Sequence, residues 1–588
     1  VFFNLTAAES TPRLQEIAKE FSPLLTSFNN DVLLDEELFE KVKKVYEQRD
    51  SLNLNDEEKM LLDRSYKDFV RNGALLKEED KQRLRGIDKE ISELSLLFGD
   101  NVLAETNEFE LWIDQEEDLK GLPEGARDAA AHAAGEKGEE GKWLFTLDMP
   151  SFLPFMIHLD NRELREKMYR AFASRCFKGD ENDNREIVKK IATLRYERAQ
   201  LLGFKNHAEF ILEDRMAENP DHVMSFLRDL LKIAKPVGER EIRDLQNFVE
   251  SKGGPVELQK WDYFYWSNKL KKERYHLDEQ ELKPYFSLEK VIGGAFQVAN
   301  KLYGLNFRER RDIPVYHEDV RTYEVTSQEG HLVGVFYGDF FPREGKRAGA
   351  WMTVYRQQKV VDGNNIRPHV SVVTNFTKPA KDRPSLLNFD EVLTLFHEFG
   401  HSLHVLLSQC RFSSLSGANV LWDFVELPSQ IMENWCYEKE CLDLFAEHYE
   451  TGEKIPEELV DRLKKVANFH EGRNTVRQVN LALIDMGWHD QDPSSIQDVG
   501  EFEHEIVGDN QLLPPLPEAN VSCAFSHIFQ GGYSAGYYSY KWAEVLDADA
   551  FELFKEKGIF HSDTARSFRE DVLKKGGSEF PMTLYKRF

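Results

Sequence analysis

The sequence lacks two features that would assign it to common functional classes. It has no run of about 18 apolar residues, the length at which a segment predicts a membrane-spanning helix. It also has no basic excess: 76 Lys and Arg stand against 104 Asp and Glu, for a formal net charge of −28 at pH 7. Nucleic acids and anionic membrane surfaces attract basic patches, so we expect neither as a partner.

Cysteine is scarce, and no two cysteines have the C-x-x-C spacing. An odd number of cysteines without a pairing pattern fits free, buried thiols in a reducing compartment better than a disulfide framework. The sequence therefore predicts a cytoplasmic protein. The five cysteines are Cys176, Cys410, Cys436, Cys441 and Cys523.

The numbered chain also lacks an initiating Met and a signal peptide. It begins at Val1, and the apolar residues Phe2, Phe3 and Leu5 resemble the interior of a domain. We therefore expect that an N-terminal piece of the protein precedes this numbering, which leaves any removed targeting segment open.

Apolar residues at helical spacing dominate the first half of the chain. A chain of 588 residues can form several cores or one multi-lobed body. An apolar stripe over 84–102 predicts one long helix. Short strand patterns at 109–113 and 143–147 flank a stretch rich in Gly and Ala. We predict a mostly helical lobe over 1–300 with a hairpin and loop insert near 109–147.

Strand patterns replace the helical spacing between residues 307 and 375. Residues 321–326 and 331–339 flank a turn, and two more strands are predicted at 350–355 and 370–376. A free strand edge can hold an extended peptide through main-chain hydrogen bonds. Gly349 and Ala350 are our candidates for such a substrate-binding edge. A purely structural strand fits the same pattern equally well.

A metal-binding motif follows this predicted sheet. Apolar residues from Val392 to Leu403 recur at helical spacing, which predicts a helix. On that helix His397 and His401 lie one turn apart on the same side, so both imidazoles can reach one metal ion. Glu398 directly follows the first histidine, where it can take a proton from an attacking water. The same five-residue motif would also arise if two histidines and a glutamate occurred by chance on a solvent-exposed face of the helix.

A third metal ligand elsewhere in the chain would argue against a chance occurrence of the motif. Metzincins need a Gly three residues and a His six residues after the second histidine, but His404 and Leu407 occupy these positions. A carboxylate on a second helix is the alternative, and Asp423, Glu426 and Glu433 lie in such a segment. Spacing alone leaves Glu426 and Asp423 both open as the ligand. Glu433 could instead orient a ligand histidine, although a solvated acid fits as well.

Two motifs together resemble the M3 family of zinc oligopeptidases. They are His397-Glu398-Phe399-Gly400-His401 and Phe424-Val425-Glu426-Leu427-Pro428-Ser429-Gln430. The resemblance implies that His397, His401 and Glu426 bind one zinc ion per chain and that Glu398 is the general base. It also implies a mainly α, neurolysin-like, two-lobed fold, with a small β-sheet next to the zinc helix and a deep substrate channel. Residues 301–588 would then form the catalytic lobe.

A segment rich in Gly and Tyr, 525–540, is the candidate for stabilising the transition state. Hydrolysis of a peptide creates a tetrahedral oxyanion, which needs hydrogen-bond donors. An aromatic helix start packed into the core fits the segment as well. The family resemblance favours a catalytic role for Tyr533, Tyr540 and His527, and Tyr537 is a weaker candidate for contact with substrate.

The resemblance predicts an enzyme that hydrolyses short peptides. Several stretches between residues 283 and 349, and the C-terminal half, resemble the bacterial peptidyl-dipeptidase branch, which favours release of C-terminal dipeptides. The stretch from Val425 to Trp435 is closer to the oligopeptidase A branch, so an endo-acting oligopeptidase is the alternative. A catalytically inactive peptide-binding protein is a more distant one. We expect a monomer.

Overall fold

Helices dominate the first 304 residues of the chain. The structure is a computed structural model that describes residues 1–343, 345–379 and 383–588. Polar side chains begin several of these helices; at α4, for example, Asn55 and Glu58 form a reciprocal capping box. The helices are α1 (Phe2–Ala8), α2 (Pro12–Leu33), α3 (Glu36–Glu47), α4 (Asp56–Arg71), α5 (Glu78–Glu108), α6 (Glu124–Glu136), α7 (Met149–His158), α8 (Arg162–Ala173), α9 (Arg185–Leu201), α10 (His207–Leu212), α11 (Pro220–Ser251), α12 (Tyr263–Tyr275), α13 (Glu279–Leu282) and α14 (Leu288–Tyr303).

Across the part of the chain that the structure describes, three sheets interrupt the helices. Strands β1 and β2 pair antiparallel across α6, and β7 and β8 form a hairpin. The larger sheet has the order β3-β4-β5-β9-β6, so β6 is an edge strand. The strands are β1 (Leu111–Ile113), β2 (Trp143–Phe145), β3 (Asn306–Glu309), β4 (Arg321–Thr326), β5 (Leu332–Asp339), β6 (Trp351–Arg356), β7 (Lys359–Val361), β8 (Asn364–Ile366) and β9 (His369–Val373).

The motif helix follows the larger sheet and opens the helical second half. A capping box between Asn388 and Glu391 begins it. The second-half helices are α15 (Phe389–Leu407), α16 (Leu427–Asn434), α17 (Lys439–Leu442), α18 (Glu457–Val466), α19 (Glu471–His489), α20 (Val499–Val507), α21 (Ser526–Phe529), α22 (Ser539–Lys557), α23 (Ser562–Ser567) and α24 (Pro581–Arg587).

Two apolar cores contain the segments that carry the predicted site residues. The first contains Val392, Phe396 and Leu403, so the predicted apolar face of α15 is buried as expected. The second core joins α9, α11 and α19 to the segment that carries Phe525 and Tyr538. Residues of the metal motif therefore belong to one core, and the Gly- and Tyr-rich segment belongs to the other.

All five cysteines are buried and free, as the sequence predicts. Burial raises the pKa of the Cys410 thiol to about 11 and that of Cys176 to about 12. In the described ranges, no helix is both long and apolar enough to cross a membrane.

A glycine allows α15 and α16 to approach closely. A Cβ atom on Gly400 would lie 2.3 Å from the carbonyl oxygen of Pro428 and 2.7 Å from the Cα of Ser429. Backbone atoms cannot move away as a flexible side chain can, so only glycine fits here. The contact places the start of α16 directly beside the turn of α15 that carries His397 and His401.

We therefore expect Gly400→Ala to destabilise the protein by about 1–3 kcal/mol through the steric conflict with α16. The measurement is the midpoint of thermal unfolding. Gly293→Ala on α14 is the matched control, because a Cβ there meets no atom within 4 Å. That control should be neutral or stabilising by up to about 1 kcal/mol. Equal midpoints for the two variants would contradict the close-packing argument.

Candidate metal centre and active site

Three side chains predicted as metal ligands converge in the structure. The imidazole rings of His397 and His401 lie 5.0 Å apart on α15. The Nε2 atoms of both rings lie 3.3 Å from Oε2 of Glu426. One ligand atom from each residue falls within 4.8 Å of the others. Two imidazole nitrogens and a carboxylate oxygen are a donor set that suits a catalytic zinc site.

Glu426 lies at the N-cap of α16 rather than inside the helix. Its Oε2 also accepts a hydrogen bond from the Ser429 hydroxyl at 3.0 Å. Burial alone would raise the pKa of Glu426, but the charges and hydrogen bonds of His401 and His397 hold this pKa well below its ordinary value. The carboxylate therefore stays ionised, as a metal ligand must.

Asp423, the competing ligand candidate, is engaged elsewhere. Its carboxylate accepts hydrogen bonds from the backbone N–H groups of Met216 and Ala217, each at 3.0 Å, and from the Tyr538 hydroxyl at 2.8 Å. These contacts tie the loop before α11 to the Gly- and Tyr-rich segment. Asp423 thus has a structural set of partners, whereas Glu426 faces the two histidines.

Glu433 contacts the predicted ligand His397 at the ring nitrogen that does not face Glu426. Its Oε1 lies 2.7 Å from Nδ1 of His397. A carboxylate at Nδ1 favours a proton there and leaves Nε2 free to bind a metal. Burial lowers the pKa of His397, but the hydrogen bonds to Glu426 and Glu433 raise it well above its ordinary value, so a metal that binds at Nε2 must displace a proton there.

Glu398 has the surroundings of a general base. Its side chain is buried, and Oε2 has no hydrogen-bond partner among the described residues. Burial raises the pKa of Glu398, partly offset by the positive charges of His397 and His401. A buried carboxylate oxygen without a partner is costly, so the site is arranged for a molecule that this oxygen will contact.

The Gly- and Tyr-rich segment reaches the predicted ligands. The Tyr533 hydroxyl donates a hydrogen bond to Oε1 of Glu426 at 2.7 Å. The Tyr533 and Tyr540 rings stack with centroids 5.1 Å apart, and the His527 ring lies 5.8 Å and 6.4 Å from them. Burial and the charge of Glu426 raise the pKa of both phenols, so both remain neutral hydrogen-bond donors.

Tyr537 and the strand-edge residues contribute less directly. The Tyr537 ring lies 5.4 Å from His527, but its hydroxyl donates to Gln478 at 3.2 Å. Gly349 and Ala350 precede the edge strand β6 rather than belonging to it, and Gly349 adopts a left-handed φ of +95°. The Asn375 side chain donates to the Gly349 carbonyl at 2.7 Å, which leaves that carbonyl less available to a substrate backbone.

Sequence reasoning missed several residues that contact the site. The Trp422 ring lies 5.0 Å from Tyr533, and the Gln430 side chain donates to the Tyr540 carbonyl at 3.1 Å. Ser429, which contacts Glu426, could have been found from the sequence, because it follows Glu426 by about one helical turn. Trp422 and Gln430 gave no such signal, because their partners lie more than a hundred residues away.

The fold and this site define a metallopeptidase. A family model supports the assignment: the model described as "Peptidase family M3" matches residues 155–588. Oligopeptidase A of Escherichia coli (strain K12) is 40% identical over all of this chain and 87% of its own length. Dipeptidyl carboxypeptidase of Salmonella typhimurium is also 40% identical, over all of this chain and 86% of its own length. The chain belongs to peptidase family M3 and is an enzyme of that family.

Solved structures support the fold. PZ peptidase A superimposes with a TM-score of 0.56 at 14% identity, covering all of this chain and 85% of that one. Oligoendopeptidase F from Bacillus anthracis gives a TM-score of 0.55 at 15% identity, covering all of this chain and 83% of that one. The mainly helical, two-lobed metallopeptidase fold predicted from the sequence is confirmed.

Removing the carboxylate of Glu398 should abolish turnover without loss of metal. General-base catalysis contributes about 10²–10⁴-fold to the rate, so Glu398→Gln should lower kcat by at least that range. Metal content, measured by mass spectrometry of the purified protein, should stay at the wild-type level. Glu426→Gln is the matched comparison and should lose metal as well as activity. Near-normal turnover in Glu398→Gln would remove Glu398 from its predicted role.

Removing the Tyr540 hydroxyl should slow the chemical step while substrate binding changes little. A single oxyanion donor contributes about 10²–10³-fold to kcat, so Tyr540→Phe should lower kcat by roughly 10²-fold with KM nearly unchanged. Tyr537→Phe is the control, because that phenol already donates to Gln478. Unchanged kinetics in Tyr540→Phe would show that the ring only packs.

Proposed function

We propose that this enzyme hydrolyses short peptides with one zinc ion per chain, held by His397, His401 and Glu426, and that it releases dipeptides from free C-termini. The observation that carries the proposal is the convergence of three ligand atoms within 4.8 Å beside a buried, unpartnered oxygen of Glu398. A metal and a base must meet at one water for this chemistry, and the residues present fit both requirements.

Each residue has a defined task in the proposed reaction. When bound, zinc supplies a Lewis acid that activates water and polarises the scissile carbonyl. Glu398 takes the proton of the attacking water and passes it to the leaving amine. Tyr540 and His527 donate hydrogen bonds to the oxyanion, and Tyr533 joins them when its hydroxyl leaves Glu426. Glu433 holds His397 in the required tautomer.

Two arginines beside His527 support the release of C-terminal dipeptides. Burial lowers the pKa of His527, and the positive charges of Arg347 and Arg477 lower it further. Burial also lowers the pKa of both arginines, and no described carboxylate offsets this lowering by raising the pKa of either arginine. Among the described residues, these two arginines therefore border the site as cations without a carboxylate partner. A terminal carboxylate of a peptide would supply the missing negative charge.

An endo-acting oligopeptidase is the second candidate. Bacterial relatives named oligopeptidase A match this chain as well as those named dipeptidyl carboxypeptidase, at 39–41% and 37–40% identity. The intact set of ligands and base disfavours a catalytically inactive peptide-binding protein. We further propose a monomer in the cytoplasm that binds neither nucleic acid nor membranes. A relative from Arabidopsis thaliana named as a cytosolic oligopeptidase A, 38% identical, supports that location.

A peptide with a free C-terminus and its amidated twin should distinguish the two candidates. We expect dipeptides from the free-ended peptide and cleavage of the amidated one slowed by at least about 10-fold, because the arginines lose their charged partner. Products are identified by mass spectrometry. Internal cuts in both peptides at similar rates would establish the endo-acting alternative. Full activity in protein shown to be metal-free would overturn both.

Arginine variants refine the same experiment. Arg477→Gln should raise KM for the free-ended peptide and leave the amidated peptide unaffected. Arg566→Gln on α23 is the control, because it removes one exposed positive charge that pairs with nearby Asp563. An equal rise in KM for the free-ended and the amidated peptide would instead assign Arg477 a structural role.

A further inference from the structure

A buried carboxylate organises the backbone between the two candidate catalytic tyrosines. Asp485, on α19, is completely buried. Its Oδ1 accepts a hydrogen bond from the N–H of Ala535 at 2.7 Å, and its Oδ2 accepts from Gly536 and Tyr537, both at 2.9 Å. Three successive backbone N–H groups around one anion form a nest, a recognised anion-binding arrangement of the main chain.

The nest requires an unfavourable backbone conformation. Ala535 has a left-handed φ of +51°, where the Cβ of an L-residue lies too close to the neighbouring carbonyl oxygen. Such a conformation persists only where the surroundings enforce it. The three charge-assisted hydrogen bonds to Asp485 are strong enough to do so, since bonds to a charged acceptor are about twice as strong as neutral ones.

Two further buried residues hold Asp485 in turn. Nδ1 of His489 lies 2.9 Å from Oδ1 of Asp485, and Nη1 of Arg195 lies 3.0 Å from Nε2 of His489. Burial lowers the pKa of His489, so its neutral ring donates from Nδ1 and accepts at Nε2. Arg195 also donates to the carbonyl of Ile528 at 2.7 Å, at the other end of the same segment.

The nest lies between the two tyrosines. Tyr533 precedes it by two residues and Tyr540 follows it by three. On the Tyr533 side, Oγ of Ser534 lies 3.0 Å from Nε2 of His207. On the Tyr540 side, the Tyr538 hydroxyl donates to Asp423. The backbone conformation at 535–537 therefore sets how the two phenols stand relative to each other and to Glu426.

We propose that Asp485, supported by His489 and Arg195, is a positioning residue for catalysis. It fixes the 535–537 backbone so that the phenols of Tyr533 and Tyr540 are presented together at the reacting centre. The inference rests on the proposed function, because it assigns those phenols to the oxyanion. Asp485 itself touches no substrate and acts through the tyrosines.

The test is a double-mutant cycle between Asp485→Asn and Tyr540→Phe. The amide keeps the size of the side chain but removes the charge and sets an NH₂ group against backbone donors. We expect Asp485→Asn to lower kcat by about 10–100-fold with KM within about 3-fold and metal content unchanged. In the Tyr540→Phe background, Asp485→Asn should lower kcat by a much smaller factor, because the effects of substitutions at residues that act together are not additive.

Asp262→Asn is the matched control. Asp262 is also completely buried and accepts hydrogen bonds from Arg162 and Arg165, but its partners belong to the first half of the chain. It should destabilise the protein while leaving kcat unchanged in both backgrounds. An equal kcat loss from Asp485→Asn with and without the Tyr540 hydroxyl would overturn the positioning role. Wild-type kcat in folded Asp485→Asn protein would overturn it too.

Hydrogen exchange separates this proposal from the proposed function. The amides of 535–537 should exchange at least 10-fold faster in Asp485→Asn than in wild type, and unchanged exchange would contradict the nest. If Tyr540→Phe alone leaves the kinetics unchanged, the assigned role of Tyr540 fails whatever the exchange shows. His489→Gln, which keeps the Asp485 charge, provides the same two readouts should Asp485→Asn not fold, with a smaller expected loss of kcat.

Discussion

The carboxylate of Glu426 is the contact on which the rest of the site depends. It meets two imidazoles of α15 through one oxygen and the Tyr533 phenol through the other. A buried carboxylate is tolerated only when its lone pairs are satisfied and its charge is balanced. That requirement draws together two apolar cores, one with the metal motif and the other with the Gly- and Tyr-rich segment. Residues proposed to take part in water activation and in oxyanion stabilisation thus contact the same carboxylate.

The local part of this arrangement could be predicted from the sequence. The pairing of His397 with His401 follows from one helical turn, and the apolar face of α15 follows from its periodicity. The strands at 321–326 and 332–339 were likewise predictable from their pattern. In each case the decisive interactions join residues close in the chain, where spacing determines geometry.

The long-range part could not be predicted in the same way. Spacing favoured Glu426 but could not separate it securely from Asp423. The family resemblance implied Glu426, and the tertiary contacts agree: Asp423 binds backbone N–H groups near residue 216, and Glu426 lies beside the histidines. The role of Asp485 gave no sequence signal, because its partners lie about fifty residues later and are backbone N–H groups that any residue possesses. The resemblance to a known family supplied the tyrosines, and their hydrogen-bond partners required the structure.

The buried cysteines have a consequence for metal selectivity. Thiolate, and not thiol, is the form that binds zinc or reacts with oxidants. Because its pKa is raised to about 11, the Cys410 thiol stays protonated at neutral pH. Burial raises the pKa of the other four thiols as well. In the folded protein the thiolate form of all five cysteines is thus disfavoured. The nitrogen and oxygen donors of His397, His401 and Glu426, which could hold a borderline metal ion, therefore face little competition from sulfur.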